Sequence, residues 1–258
     1  MRRAFGPVLA WVLLCGGTAG AEAAPRPASD PTAYAWMARA AANFTQIRSI
    51  VATIDQLLVQ GTRTVRYQGH YVALAPGRFR IEYRRPEPQL VVSDGRRLWW
   101  EIPSRRKVWR TSLQARRPEV VGSVGFEDLL PERDDVYYRW ERSWWRFWAA
   151  PRIRFQGVGR LVTVRGYVET DADRPVPTRV VFLAADVDRP VLERRLEHYE
   201  RIGDVWLPLE TRTVDHRGHT EIVTRYHGVR LNVPVEPRRF VYEPPADYEV
   251  VELNLGGT

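Results

Sequence analysis

The sequence predicts a mainly β protein: a large antiparallel sheet, curled on itself, with a few helices to cover its apolar face. Three observations carry this. Residues 78–84 alternate strictly between charged and apolar side chains. Segments of the same texture recur from residue 49 to residue 231, punctuated by Gly, Pro and Asp turn signals. Strands do not alternate with long helical segments, so a parallel α/β arrangement is excluded.

The N-terminal region comes first. Arg2 and Arg3 precede an apolar run from Val8 to Cys15, and small residues then end in Ala21-Glu22-Ala23. Charge, apolar core and A-x-A is the order of a secretory signal peptide. The run is too short to span a bilayer, which takes about 20 apolar residues. Cleavage is expected after Ala23, with Ala21 as the neighbouring alternative. Cys15 follows Leu14 rather than a small residue, so it belongs to the removed segment and is not a lipid-attachment cysteine. The exported part, residues 24–258, then has no cysteine, and thiol and disulfide chemistry are excluded.

Residues 24–30 (APRPASD) form a linker, and 31–258 are expected to be one domain, a length that a sandwich or barrel reaches. Asp30 is a plausible N-cap and Pro31 suits the first helical position. The helix runs to about Ile47, with Trp36, Ala40 and Phe44 on its apolar stripe. Strands follow from Ser49. Phe79, Ile81 and Tyr83 face one way and Arg80, Glu82 and Arg84 the other, which gives one buried and one wet face. Leu90–Val92, the Ser93-Asp94-Gly95 turn and Arg97–Ile102 form a hairpin, because Gly tolerates the positive φ that a tight turn needs. A further strand covers 106–113.

The rhythm breaks over about 114–150, where a helical insert is expected. Phe126, Leu129 and Leu130 mark one short helix. Asp134 to Trp148 carries Tyr137, Trp140, Trp144 and Trp148 at helical spacing, interleaved with arginines, and Pro151 ends it. This Trp/Arg segment suits a lid over the sheet. It also suits a helix at a membrane interface, where Trp prefers the headgroup level and Arg meets anionic lipid. Strands resume at about 153–158, 160–170, 178–185, 191–202, 205–215 and 219–231, giving at least ten in a meander. A sheet of that size must curl to bury its apolar face.

Chemistry is sparse. The sequence contains no G-x-S-x-G, P-loop or G-x-G-x-x-G pattern, so no catalytic residues are assigned and no enzyme is expected. His216 and His219 flank a turn, but without cysteines or an evident third ligand they read as polar turn residues, and neither metal nor cofactor is expected. The net charge of +8 on an exported chain points to anionic lipid surfaces or acidic partners before nucleic acid. Ten Trp and eleven Tyr suit a molecule that works at apolar–water boundaries.

The run from Pro76 to Tyr83, then Pro86, then Gln89-Leu90-Val91-Val92-Ser93-Asp94-Gly95-Arg96-Arg97-Leu98-Trp99, resembles the periplasmic outer-membrane lipoprotein-sorting carriers. Tyr199–Pro208 and Leu231–Pro234, leading to Phe240 and Pro244, are similar to the wider superfamily. The resemblance implies a half-open β-barrel, a single curved sheet with α-helices as a lid over its concave face. It implies periplasmic localisation, acyl chains of lipoproteins or other lipids as cargo, an inner-membrane donor transporter and an outer-membrane acceptor. In that family an arginine before the first proline helps close the lid; here the position is Ala75. The candidate cavity lining is Phe79, Ile81, Tyr83, Leu90, Val92, Leu98, Trp100 and Ile102. Alternation alone fits a filled core as well as a cavity. The candidate lid is Phe126, Leu129, Leu130, Tyr137, Trp140, Trp144 and Trp148. An envelope sensor of the same fold, without a transport role, is the second function class.

Overall fold

The computed structural model describes residues 29–113, 136–141, 150–158, 163–171, 173–184 and 187–253. These contain one α-helix, α1 (Pro31–Thr45), followed by β1 (Ser49–Gln60), β2 (Arg63–Leu74), β3 (Arg78–Arg85), β4 (Gln89–Asp94), β5 (Arg97–Ile102) and β6 (Lys107–Ser112). Then come β7 (Val136–Trp140), β8 (Arg152–Val158), β9 (Thr163–Thr170), β10 (Pro177–Leu183), β11 (Pro190–Ile202), β12 (Val205–Asp215), β13 (Thr220–Leu231) and β14 (Glu249–Glu252). The strand order is β14-β6-β5-β4-β3-β2-β1-β13-β12-β11-β10-β9-β8-β7, and its two ends are not paired, so the sheet is open. The pairings are antiparallel except β14 with β6, which is parallel. The expected signal peptide and the 126–131 helix lie outside the described residues.

The chain divides into two compact units. The first holds β1–β6, β13 and β14. Its hairpins form where the sequence supplies turn chemistry: Gly61, Gly77 and Gly95 all take positive φ. At the last of these the Asp94 carboxylate accepts from the backbone N–H of Arg96 and of Arg97, both at 2.7 Å. After β13 the chain turns at Asn232, whose φ is +55°. Its side-chain oxygen accepts from the Arg48 N–H at 2.7 Å, and Ser49 Oγ donates to the Val233 carbonyl at 2.6 Å. The C-terminal segment then crosses one face of the sheet. A short 3-10 turn, Pro237–Phe240, contacts β3 and β4 and buries Phe240 almost completely. Tyr242 packs on Trp99 and donates to Glu101 at 2.8 Å. At the edge, β14 carries Glu249 and Glu252 beside Lys107 and Arg110, and Asp247 pairs with Arg106.

The second unit holds α1 and β7–β12. Asp30 caps α1 by accepting from the N–H of Thr32 and Ala33, and Pro31 follows it. An alanine-rich sequence keeps the helix interior favourable, and Trp36, Met37, Ala40, Ala41 and Phe44 are buried. Hydrogen bonds tie α1 at both ends. Asp30 N donates to the Tyr138 carbonyl at 2.8 Å, and Trp140 Nε1 donates to Thr32 Oγ1 at 3.1 Å. At the other end the Asn43 amide grips Trp206 twice: its Nδ2 donates to the carbonyl at 2.7 Å, and its Oδ1 accepts from the N–H at 2.8 Å. The helix therefore runs from β7 to β12. Its 15 residues make a rod of about 22 Å, close to the roughly 24 Å spanned by five inter-strand gaps.

Within the expected 134–148 helix, the described residues 136–141 depart from the sequence expectation. Val136–Trp140 is a strand paired with β8, not part of a helix. Val136 and Tyr138 are buried while Tyr137 and Trp140 are half-buried, a period of two rather than 3.6. Valine and aromatic residues favour a pleated surface, and β8 offers the partner that a single-segment reading cannot see. Tyr137 and Trp140 thus belong to the sheet. Trp144 and Trp148 lie outside the described residues.

A sheet glycine organises this unit. Gly166 on β9 stands between Phe155 on β8 and Phe182 on β10. With no side chain in the way, the two rings meet over it at 5.5 Å, edge to face. A Cβ there would lie 2.0 Å from the Val181 carbonyl oxygen and 2.6 Å from the Phe155 ring. The other face of the sheet carries an ion-pair ladder. Glu193 accepts from Arg179 at 2.8 and 2.9 Å and from Arg195 at 2.7 Å, and Arg152 bonds Glu169 at 2.6 Å. Burial opposes ionisation of Glu193, but the two guanidiniums outweigh it and hold the carboxyl below the usual range.

Two outcomes follow. Gly166→Ala should destabilise by about 1–3 kcal/mol through overpacking, measured as a lower urea midpoint at unchanged slope. Because the folded-state pKa of Glu193 is lowered, its stabilisation is present above about pH 4.3, the ordinary glutamate value, and is lost as pH falls through the lowered one. The stability gap between wild type and Glu193→Gln should therefore be largest at pH 7 and shrink toward pH 3 in urea titrations.

Candidate functional site

The site begins with strand parity in the first unit. Directly opposed residues on adjacent strands share a face, and the registers produce two rows across the sheet. One runs Ala52, Tyr71, Ile81, Val91, Trp100, Trp109 from β1 to β6. The other runs Ile50, Ala73, Phe79, Ser93, Leu98, Thr111. Trp100 and Trp109 stack at 4.8 Å, and Tyr71 meets Tyr226 of β13 at 6.2 Å. Most of these side chains are buried; Ala73, Ile81 and Trp109 are half-buried. This face is the reverse of the one crossed by the C-terminal segment. The described residues of this unit contain no α-helix.

Six of the eight sequence-predicted lining residues fall together here: Phe79, Ile81, Tyr83, Leu98, Trp100 and Ile102. Leu90 and Val92 do not. Leu90 pairs with Glu82 and Glu101, and Val92 with Arg80 and Trp99. Both therefore share the face on which Phe240 and Tyr242 pack. An apolar run in a strand buried on both sides has no polar alternation to show which residues face which way.

The face is apolar but not uniformly so. Gln56 of β1 lies on it, as do Thr224 of β13 and Tyr83 of β3. Tyr83 OH donates to Gln56 Oε1 at 2.8 Å, and Gln56 Nε2 donates to Thr224 Oγ1 at 2.9 Å. The bond from Tyr83 passes over β2 at Gly69, which is opposite Tyr83 in register and has no side chain to block it. Tyr83 is fully buried, and burial drives its phenol well above the ordinary tyrosine value, so it acts as a neutral donor. Trp100 Nε1 donates to Gln89 Oε1 at 3.0 Å, which satisfies a second buried pair. Sequence reasoning missed Gln56, Gln89 and Thr224. The signal was present for one of them: Gln56 continues the inward series Ile50, Ala52, Ile54.

These bonds make the face sensitive to single-atom changes. Tyr83→Phe leaves the Gln56 carbonyl unpaired in a buried setting and should destabilise by about 1–3 kcal/mol. Adding Gln56→Leu should cost less than the sum of the two single changes, because the orphaned group is removed with it. Chemical denaturation of the four proteins of that cycle measures the coupling, and additivity would show that the bond does not form.

Residues 45–119 match the family model described as outer membrane lipoprotein carrier protein LolA. That range contains β1–β6. No curated protein matches the chain by sequence. Among solved structures, a LolA superfamily protein from Nitrosomonas europaea aligns with a TM-score of 0.57 at 16% identity, over 81% of this chain and 97% of that one. A putative outer membrane lipoprotein-sorting protein domain from Vibrio parahaemolyticus aligns at 0.60 and 14%, over 81% and 96%. A DUF1329 family protein from Desulfovibrio piger aligns at 0.59 and 14%, over 84% and 98%. At such identities the likeness is one of fold. The chain thus shares the fold of these LolA-superfamily and lipoprotein-sorting structures, and the family-model match falls on the segment where β1–β6 build the aromatic face.

Proposed function

We propose that the protein is an exported, periplasmic carrier that shelters the acyl chains of lipoproteins or other lipids on the aromatic face of β1–β6. Binding and release are its whole activity, and no bond is made or broken. It takes cargo from a donor at the inner membrane and passes it to an acceptor at the outer membrane. The observation that carries this reading is the row Ala52, Tyr71, Ile81, Val91, Trp100, Trp109, an unbroken apolar and aromatic track across six strands. It lies within the segment that matches the carrier family.

The energetics set what such a surface must do. A 16-carbon chain in water exposes about 15 methylenes at roughly 0.8 kcal/mol each, about 12 kcal/mol in all. A soluble carrier has to offset most of that and still release the chain. A wide, shallow set of apolar contacts does so without one dominant anchor.

The test is mass spectrometry of organic extracts from protein purified out of its native envelope, together with fluorescence of the neutral probe N-phenyl-1-naphthylamine. Co-extracted lipid or lipoprotein and probe uptake are expected. Ile81 is half-buried, so Ile81→Glu should keep the fold, seen by circular dichroism, while weakening probe binding by about tenfold or more. A protein that yields no lipid and takes up no probe would falsify the carrier reading.

A further inference from the structure

The aromatic face of the first unit ends in cations on one side. Along β2, Tyr71, Gly69, Tyr67, Val65 and Arg63 share one face, so the rows continue through Tyr67 to Arg63, the first residue of the strand. Tyr67 packs on Tyr83 at 5.3 Å and is 6% exposed. Its hydroxyl, unlike that of Tyr83, makes no hydrogen bond among the described residues. Burial raises its pKa above the ordinary tyrosine value; the next influences are Arg63, Glu87 and Arg105, so all three charges stand close enough to act on the phenol. Arg105 belongs to the β5–β6 turn, and Ser104 beside it donates to Glu87 of the β3–β4 turn at 2.5 Å. Glu87 is thus engaged by a hydroxyl, whereas Arg63 and Arg105 are exposed and form no ion pair among the described residues.

Two guanidiniums and a phenol O–H make a set of donors, and the planar fork of arginine matches the two oxygens of a carboxylate or a phosphate. Their position says which anion they suit. From Ala73 to Tyr67 the face extends six residues along β2, about 20 Å, the scale of a long acyl chain. At the far end the rows close with Ile50, Ala73, Phe79, Ser93 and Leu98, which carry no charge. We propose that Arg63, Tyr67 and Arg105 bind the oxyanion head, a carboxylate or phosphate, of an acidic amphiphile whose chain lies along the aromatic rows. The proposal rests on the carrier reading and adds to it the chemistry of the head group and the direction in which the cargo lies.

The experiment is displacement of N-phenyl-1-naphthylamine from the purified protein by palmitate, by 1-palmitoyl lysophosphatidate and by uncharged monopalmitoylglycerol. The two acidic lipids should displace the probe at concentrations about tenfold lower than the neutral one. Replacing both arginines, Arg63→Gln with Arg105→Gln, should erase that preference and leave displacement by monopalmitoylglycerol unchanged. Tyr67→Phe removes only the hydroxyl and should lower the preference by a few-fold. The control pair Arg96→Gln with Arg97→Gln removes the same charge from the exposed β4–β5 turn at the other end of the sheet, and should keep the preference. Equal displacement by all three lipids in the wild type, a preference that survives in both Tyr67→Phe and the Arg63/Arg105 pair, or an equal loss in the control pair overturns the head-group site and leaves the carrier standing. Displacement of palmitate by inorganic phosphate at the concentration at which lysophosphatidate acts also overturns it, by assigning the arginines to a free anion. A wild-type protein that binds no probe overturns the carrier reading and this proposal together.

Discussion

The burial of Phe240 decides which face of the first unit's sheet the chain itself covers. A two-faced sheet with apolar residues on both sides must cover both. Phe240, with Tyr242 beside it, lets the C-terminal segment cover one side from within the chain, over Val92 and Trp99 on β4 and β5. The anchors at either end of that segment are polar and local: Asn232 holds its start against β1, and three ion pairs hold β14 against β6. The aromatic rows lie on the reverse side, where the carrier proposal puts the acyl chains.

Both units solve a second packing problem in the same way. A flat row of large side chains on three adjacent strands would leave the outer two out of reach of each other, since next-but-one strands lie about 10 Å apart. A glycine on the middle strand removes the obstacle. Gly69 lets Tyr83 reach Gln56, and Gly166 lets Phe155 meet Phe182. Added Cβ atoms would meet backbone carbonyl oxygens at 2.4 and 2.0 Å, so the sites tolerate no other residue without movement.

Much of this was legible in the sequence, and the exceptions have physical causes. The helix start was readable because Asp30 and Pro31 are local signals, and α1 runs from Pro31 to Thr45 against an expected end near Ile47. The β3 faces and the Asp94-Gly95 turn were readable because alternation and turn chemistry are also local. Three features were not. Tyr137 and Trp140 satisfy helical spacing when Trp144 and Trp148 are counted with them, and pairing to β8 decides against it. Leu90 and Val92 lie in an apolar run whose two sides differ only through Phe240, some 150 residues later in the chain. Phe240 itself sits between prolines and arginines, with no periodicity to mark it as core.

Polar groups on the aromatic face of the first unit are paired with one another. Gln56, Tyr83 and Thr224 satisfy one another, as do Gln89 and Trp100. Such closed networks fix strand register and cost little, because no group is left without a partner. They leave the face apolar beyond the paired groups themselves. An apolar surface distinguishes ligands poorly, since each methylene contributes a similar small amount.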